Sequence, residues 1–284
     1  MKTTTTHRRR MPVVSLLSLA LLGAMSMPAW ADAPCLVWDP GTSTWVPDPA
    51  LDNRDNGAEN DFGNTNTTCY GSSSAFGQQN NASGMMSSAF GRLNTAAGEA
   101  ASAFGIGNQA LGTRSSAFGF ESFAIGRDSS AFGNGNLAIG AASSAFGYSN
   151  DANGVGSSAF GLLGRAGGDG SVVVSGWYDR DGNGYVTYDL DWNGDTFTGS
   201  SETSRAYGTS AVALGAANMA GSFRSSAVGV DNTVTGSAGS AFGFRNSAWE
   251  GSSAFGYGNT ASDLNNSAFG YRNTATSEYS RAFG

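Results

Sequence analysis

The sequence predicts an all-β protein, a parallel β-roll (solenoid) wound from 14-residue coils, and three observations carry that prediction. Glycine occupies every seventh position from 77 to 161 without a miss. An alanine stands two residues before each of these glycines. Every second unit reads Ser-Ala-Phe-Gly, at 74–77, 88–91, 102–105, 116–119, 130–133, 144–147 and 158–161, so two sevens make one fourteen. A register held over so many units requires each unit to stack on the next.

A seven-residue period also suits a coiled coil, but glycine costs a helix interior about 1 kcal/mol at each occurrence, and the a and d positions call for large apolar residues. A short extended run fits better, with alanine on one face, phenylalanine on the other, and a glycine that turns the chain with a positive φ. Each strand then pairs with its equivalent one coil on, about 4.8 Å away, and identical side chains form ladders. Phe76, Phe90, Phe104, Phe118, Phe132, Phe146 and Phe160 make one such ladder. On the other half-coil the same place is taken by Ser83, Ala97, Leu111, Ile125, Ile139 and Asn153. The phenylalanine side is the expected interior, and the alanines are expected to stay small because another backbone or subunit lies close.

Ordering a fourteen-residue coil costs on the order of 20 kcal/mol, while one phenylalanine, one medium apolar residue and two alanines recover only several. The expectation is that chains associate side by side and share a core.

Residues 1–31 stand outside the fold. Lys2, Arg8, Arg9 and Arg10 form a basic start, an apolar run follows over 13–25, and Ala29-Trp30-Ala31 is a cleavage site, together a secretory signal peptide. The apolar run is too short to span a membrane. Residues 32–59 read as a cap rich in tryptophan and proline, with Trp38, Trp45, Pro40, Pro47 and Pro49. In an oxidising compartment the two cysteines, Cys35 and Cys69, most simply form one disulfide, closing a loop of about 35 residues and contributing roughly 3 to 4 kcal/mol. An intermolecular bond or two free thiols are the alternatives. The roll is expected over 60–161, with a first coil at Asp61-Phe62-Gly63, and a resumed roll over 206–284 slips by one residue after Ala248. Between them an inserted acidic lobe is expected over 162–205, where Val172, Val173 and Val174, then Trp177 and Tyr178, and a later run from Tyr185 alternate around a turn as a β-hairpin.

Beyond residue 31 the chain has eleven arginines, no lysine, no histidine and twenty-two acids, a net charge of −11. No basic stripe exists to neutralise phosphates, which argues against nucleic acid as a partner. Without histidine or lysine the common general bases and Schiff-base amines are missing, which argues against an enzyme.

The lobe holds the one constellation with metal chemistry. Asp179, Asp181 and Asn183 followed by Gly184 match the first half of a calcium loop, in which alternate oxygens wrap a hard cation. Asp189 is the further candidate ligand, but Leu190 stands where the loop calls for a bidentate glutamate, with Asp191 beyond it. The competing reading is an acidic, glycine-rich hairpin turn. Apart from this possible Ca2+, no cofactor is expected.

Ser-Ala-Phe-Gly alternating with Asn-x-Ala-x-Gly, as in 108–112, and the run Ser-Ala-Val-Ala-Leu-Gly at 210–215 resemble the head repeats of trimeric autotransporter adhesins, the YadA-like family. The resemblance covers 60–161 and 206–284. It implies a left-handed roll, a homotrimer around a common axis, display at the outer membrane of a Gram-negative bacterium, and attachment to host or environmental surfaces or to other cells. The family continues into a coiled-coil stalk and a barrel anchor. Neither pattern occurs before Gly284, so the sequence reads as truncated. The function expected is that of an adhesin head, and the alternative is a structural spacer without a ligand of its own.

Overall fold

The computed structural model describes residues 36–39, 44–47, 61–70, 72–180, 182, 184 and 202–284. The coils form two long parallel sheets, and each coil contributes one strand to each. The first sheet has 15 strands, from Asp61–Asn64 to Arg281–Phe283, most of them five residues long. The second has 14, from Thr67–Thr68 to Thr274–Ala275, each of two residues. Pairing is parallel and joins equivalent residues: Phe118 lies between Phe104 and Phe132, and Ala124 between Ala110 and Ala138. In the leader, Leu36–Asp39 pairs antiparallel with Thr44–Pro47. The described residues contain no helix.

The expected interior is reversed. Along the strand Ser102–Ile106 the alanine points inward, while serine and phenylalanine point outward. One coil is lined by Ala103, Asn108, Ala110 and Ser115, all fully buried. A five-residue strand and a two-residue strand joined by short turns enclose a lumen that admits methyls, hydroxyls and carboxamides but not rings. The alanines are small because the facing sheet of the same chain is close, and they run through the lumen as one continuous core. The phenylalanines stack along the outer face instead, with ring centroids 4.7 to 5.3 Å apart from Phe62 to Phe160 and planes within 18° of parallel.

The glycines also act differently from the expectation. The turns place residues such as Gln79, Met86, Leu93, Ala100 and Arg114 in the left-handed region, with φ of 54° to 59°. Each stands two positions beyond a repeat glycine. The glycines themselves answer a close approach of backbones. Gly119 lies inside a strand with φ +115°, and a Cβ there would sit 2.0 Å from the carbonyl oxygen of Gly133 one coil on. Gly112, in the other half of the coil, has no positive φ, yet its Cβ would meet the Gly126 oxygen at 2.1 Å.

Opposite these glycines runs a buried asparagine ladder at 66, 80, 94, 108, 136, 150, 218, 232, 246 and 259, each residue no more than 1% exposed. Asn94 shows the pattern. Its Nδ2 donates to the Phe90 carbonyl at 2.9 Å and to the Gly105 carbonyl at 2.7 Å. It also reaches the Asn80 Oδ1 at 3.0 Å, and its own Oδ1 accepts the backbone N–H and the Nδ2 of Asn108, both at 3.1 Å. Each carboxamide thereby satisfies backbone groups that the tight turns leave without a sheet partner.

Two deviations from the alanine lining come with a compensating loss of volume. Val173 replaces an alanine where Gly164 replaces the asparagine, and a Cβ on Gly164 would approach Val173 Cγ1 to 3.0 Å. Val234 replaces an alanine where Gly239 replaces the serine, and a Cβ on Gly239 would lie 2.7 Å from Val234 Cγ1 and 2.5 Å from the Trp249 carbonyl oxygen. Gly239→Ala and Val234→Ala are each expected to destabilise, by roughly 1 to 3 kcal/mol through overpacking or a cavity. The double variant is expected to cost less than the sum, because it removes the contact with Val234 and leaves only the one with the Trp249 oxygen. A double-mutant cycle from denaturant unfolding checks this.

The coil series runs further than the expected boundary at 162. Ser158–Leu162, Arg165–Ala166 and Val172–Gly176 are regular rungs, and the next short rung is Arg205–Ala206. Arg165 pairs with Arg205, forty positions on, where an ordinary coil takes fourteen, so the excursion adds 26 residues. The valines at 172–174, expected in the inserted hairpin, are a strand of the main sheet. The slip near 248 is one 13-residue coil: Ser240 pairs with Ser253 and Ser247 with Thr260.

Candidate functional site

The outer face of the longer sheet carries three parallel rows, of serine, of phenylalanine, and of the residue that follows each glycine. The third row is apolar over much of its length and open to solvent, with Ile106, Phe120, Tyr148, Tyr257 and Tyr271 all exposed. Towards the C-terminus Phe244, Tyr257 and Tyr271 stack at 5.2 and 5.1 Å. Over the rings lie guanidinium groups, Arg245 at 5.0 Å from Phe244 and Arg272 at 5.2 Å from Tyr271, a geometry worth roughly 0.5 to 1 kcal/mol at an exposed site.

The excursion leaves the roll at Trp177 and returns at Thr203, and these two residues form an antiparallel bridge. Tyr178 N–H donates to the Glu202 carbonyl at 3.1 Å. The Glu202 carboxylate, 1% exposed, accepts Trp177 Nε1–H at 3.1 Å and Arg180 N–H at 2.7 Å. A buried carboxylate is tolerated where hydrogen bonds replace its water. Beyond this neck the chain reaches two and three coils ahead. The Arg180 guanidinium pairs with the Asp231 carboxylate, and Arg245 Nε reaches the other Asp231 oxygen at 3.1 Å. The Tyr178 ring meets Phe244 edge to face at 5.7 Å, and its hydroxyl accepts from Arg245 Nη2 at 3.3 Å. The hydrogen bond to Asp231 is the main reason the Arg245 guanidinium is held above its usual pKa.

Of the four candidate calcium ligands only Asp179 is described. Its Oδ1 accepts the Gly182 N–H at 2.6 Å and its Oδ2 the Gly184 N–H at 2.9 Å, bonds that close the turn from within. Asp181, Asn183 and Asp189, like Leu190 and Asp191, lie outside the described residues, as does the expected hairpin beyond Gly184. Among the described residues no group of three or more His, Cys, Asp or Glu side chains is placed to hold a metal. Cys69 is buried and disulfide-bonded. Cys35 lies outside the described residues.

One further charged group sits on the short rungs. Asp151 stacks between Leu137 and Arg165, with Arg165 Nε 4.0 Å from its carboxylate. Burial raises its pKa to about 6, and Arg165 opposes that shift. Since the folded value lies above the unfolded one, the folded chain holds this proton longest, and the contribution to stability falls as pH rises from about 4 to about 6. Asp151→Asn is therefore expected to be more stable than the parent at pH 7 and to converge with it below pH 4, read as the difference in melting temperature between the two chains.

The asparagine of the Asn-x-Ala-x-Gly units is legible in the sequence at a fourteen-residue spacing over 66–108, but its role as a buried hydrogen-bonding ladder escaped the reading. The contacts of Tyr178 and Arg180 with Asp231, Phe244 and Arg245 had no such signal, being more than fifty residues apart with no repeat to link them.

No described helix is long and apolar enough to cross a membrane. No curated protein matches the chain. Residues 71–94 and 96–122 match two copies of the YadA head domain repeat, and the matched stretch falls on coils whose pairing register runs unbroken in both directions. Residues 71–122 of the chain thus carry YadA head domain repeats.

Proposed function

We propose that this chain is the head of a bacterial surface adhesin, assembled as a homotrimer, that attaches its cell to host or environmental surfaces or to other cells. The observation that supports this reading is continuity: matched and unmatched coils form one pairing ladder from Asp61–Asn64 to Arg281–Phe283, broken in sequence by a single excursion. A uniform scaffold with one non-repeating lobe suits a fibre that presents a ligand-binding element. The phenylalanine row on the outer face, half-exposed in one chain, is the surface that sister chains would cover. The disulfide of this reading joins Cys35 to Cys69 and ties the cap to the first coil.

Deleting 178–203 returns the interrupted coil to fourteen residues and so leaves the roll intact. Beads coated with the mature chain and with this deletion are compared for retention on glass and on epithelial monolayers. Loss of retention on deletion places the ligand on the lobe, and equal retention places it on the coils. Failure of both to bind would support the spacer reading instead. Light scattering that gives the mass of one chain for the folded protein would overturn the trimer.

We further propose that the turn starting at Asp179 takes Ca2+ through Asp179, Asp181, Asn183 and Asp189, against the alternative of an acidic hairpin turn without metal. Melting curves that coincide in chelator and in millimolar calcium would remove the metal and leave the turn closed by Asp179 alone.

A further inference from the structure

We propose that residues 177–180 form a releasable strap that fastens the start of the excursion to coils C-terminal to it and that opens while the coils themselves stay intact. The inference does not depend on what the lobe binds.

The strap has two separate fastenings. At its root, Trp177 and Arg180 close on the buried Glu202 carboxylate, which joins the outgoing and returning chain into one neck. At its far end, Arg180 and Tyr178 land on Asp231, Phe244 and Arg245, which belong to later coils. Root and landing are thus held by different chemistry, and the second can fail without the first.

The rows beneath the strap are shaped for it. The row that follows each glycine carries Tyr148 and Leu162 before the excursion, then Gly176 and Ala216 beside it, then Val230 next to Asp231, and Phe244, Tyr257 and Tyr271 beyond. In the left-handed row beside it Leu163 gives way to Ala217, which is only 5% exposed, whereas Leu93 in the same row of an uninterrupted coil is 37% exposed. Small residues therefore mark a saddle between the root and the landing, and the landing begins where the side chains become large or charged again. Asp231 is the one acid in the left-handed row between the excursion and Gly284, and it lies between two arginines, Arg180 from the strap and Arg245 from the next coil.

A partly exposed ion bridge plus one edge-to-face ring contact makes a weak fastening compared with the coils, which suits local opening. In the open state Trp177 keeps its bond to Glu202, while the Tyr178 ring and the Arg180 guanidinium leave Phe244 and Asp231.

Trypsin reports this state directly, because Arg180 is the only basic residue in 178–203. The mature chain, in its native assembly, is digested alongside Asp231→Ala and Tyr178→Ala. Cleavage after Arg180 is followed by mass spectrometry, and cleavage after Arg114 and Arg272, on the coils, reports opening of the roll. The expected result is at least tenfold faster cleavage after Arg180 in both variants, with rates after Arg114 and Arg272 unchanged. Should Asp231→Ala weaken the roll as a whole, Tyr178→Ala, which alters no residue of a coil, decides the matter. Equal cleavage after Arg180 in the parent and in Tyr178→Ala, or an acceleration there that only matches the one at Arg114, would overturn the strap.

Discussion

Gly119→Ala is expected to lower the stability of the roll by more than about 3 kcal/mol, the sum of a strained backbone and an overpacked contact. The new methyl would sit 2.0 Å from the Gly133 oxygen, at a φ of +115° that L side chains avoid. Neither side can yield cheaply, because the obstacle is the backbone of the next rung. Gly156→Asn serves as the control. It shares the left-handed turn row with Arg114, Asp128 and Ala142, its φ is +64°, and a Cβ there meets nothing within 4 Å. Asparagine is at home in that region, so the expected change is under about 1 kcal/mol. Guanidinium unfolding midpoints of the two variants, measured against the parent, test the contrast, and similar losses would refute the close-approach account.

Asn94→Ala is expected to cost about 3 to 5 kcal/mol, since several buried groups lose their partners together. The Phe90 and Gly105 carbonyls, the Asn108 N–H and the Asn80 Oδ1 all bond to this one carboxamide. Asn94→Ser should cost less. At position 122 the ladder already contains serine, whose Oγ bonds the Gly133 carbonyl and accepts the Asn136 N–H, both at 3.4 Å. Ser115→Ala completes the series and is expected to be neutral or slightly stabilising. The Ser115 hydroxyl is buried without a partner, and Ala101 and Ala211 occupy the same row. Thermal unfolding that ranks the three as alanine at 94, serine at 94, alanine at 115, from worst to best, supports a ladder held by its carboxamides. A Ser115→Ala loss equal to that of Asn94→Ala would show that the lumen is sensitive to volume alone.

The aromatic content shows where reading the sequence was sound and where it failed. A phenylalanine at every fourteenth residue does announce a ladder, and Phe76 does stack on Phe90 at 4.7 Å. Alternation places Ala75 and Phe76 on opposite faces but cannot say which face is inside. The usual preference for burying the larger side chain gave the wrong answer, because the lumen is only as wide as two short strands allow. The excursion shows a different limit. Its presence was legible as a break in period, but Val172–Gly176 looked like part of it, since valine in place of Ser-Ala-Phe hides a regular rung. Of the candidate calcium loop the described residues are Asp179, Arg180, Gly182 and Gly184, and there the acidic side chain closes its own turn.

From the sequence alone came the fourteen-residue period, the parallel in-register stacking and the kinship of the repeats, because identical units in strict register can satisfy their backbones only by pairing with their own copies. Only the tertiary structure decided which side chains face inward, why the glycines are needed, and where Tyr178 and Arg180 meet the later coils. Those outcomes depend on the closure of each coil and on contacts between residues whose separation follows no period. The width of the lumen selects alanine, asparagine and serine, the spacing of adjacent backbones selects glycine, and Arg180 meets Asp231 only because two further coils have stacked beneath it.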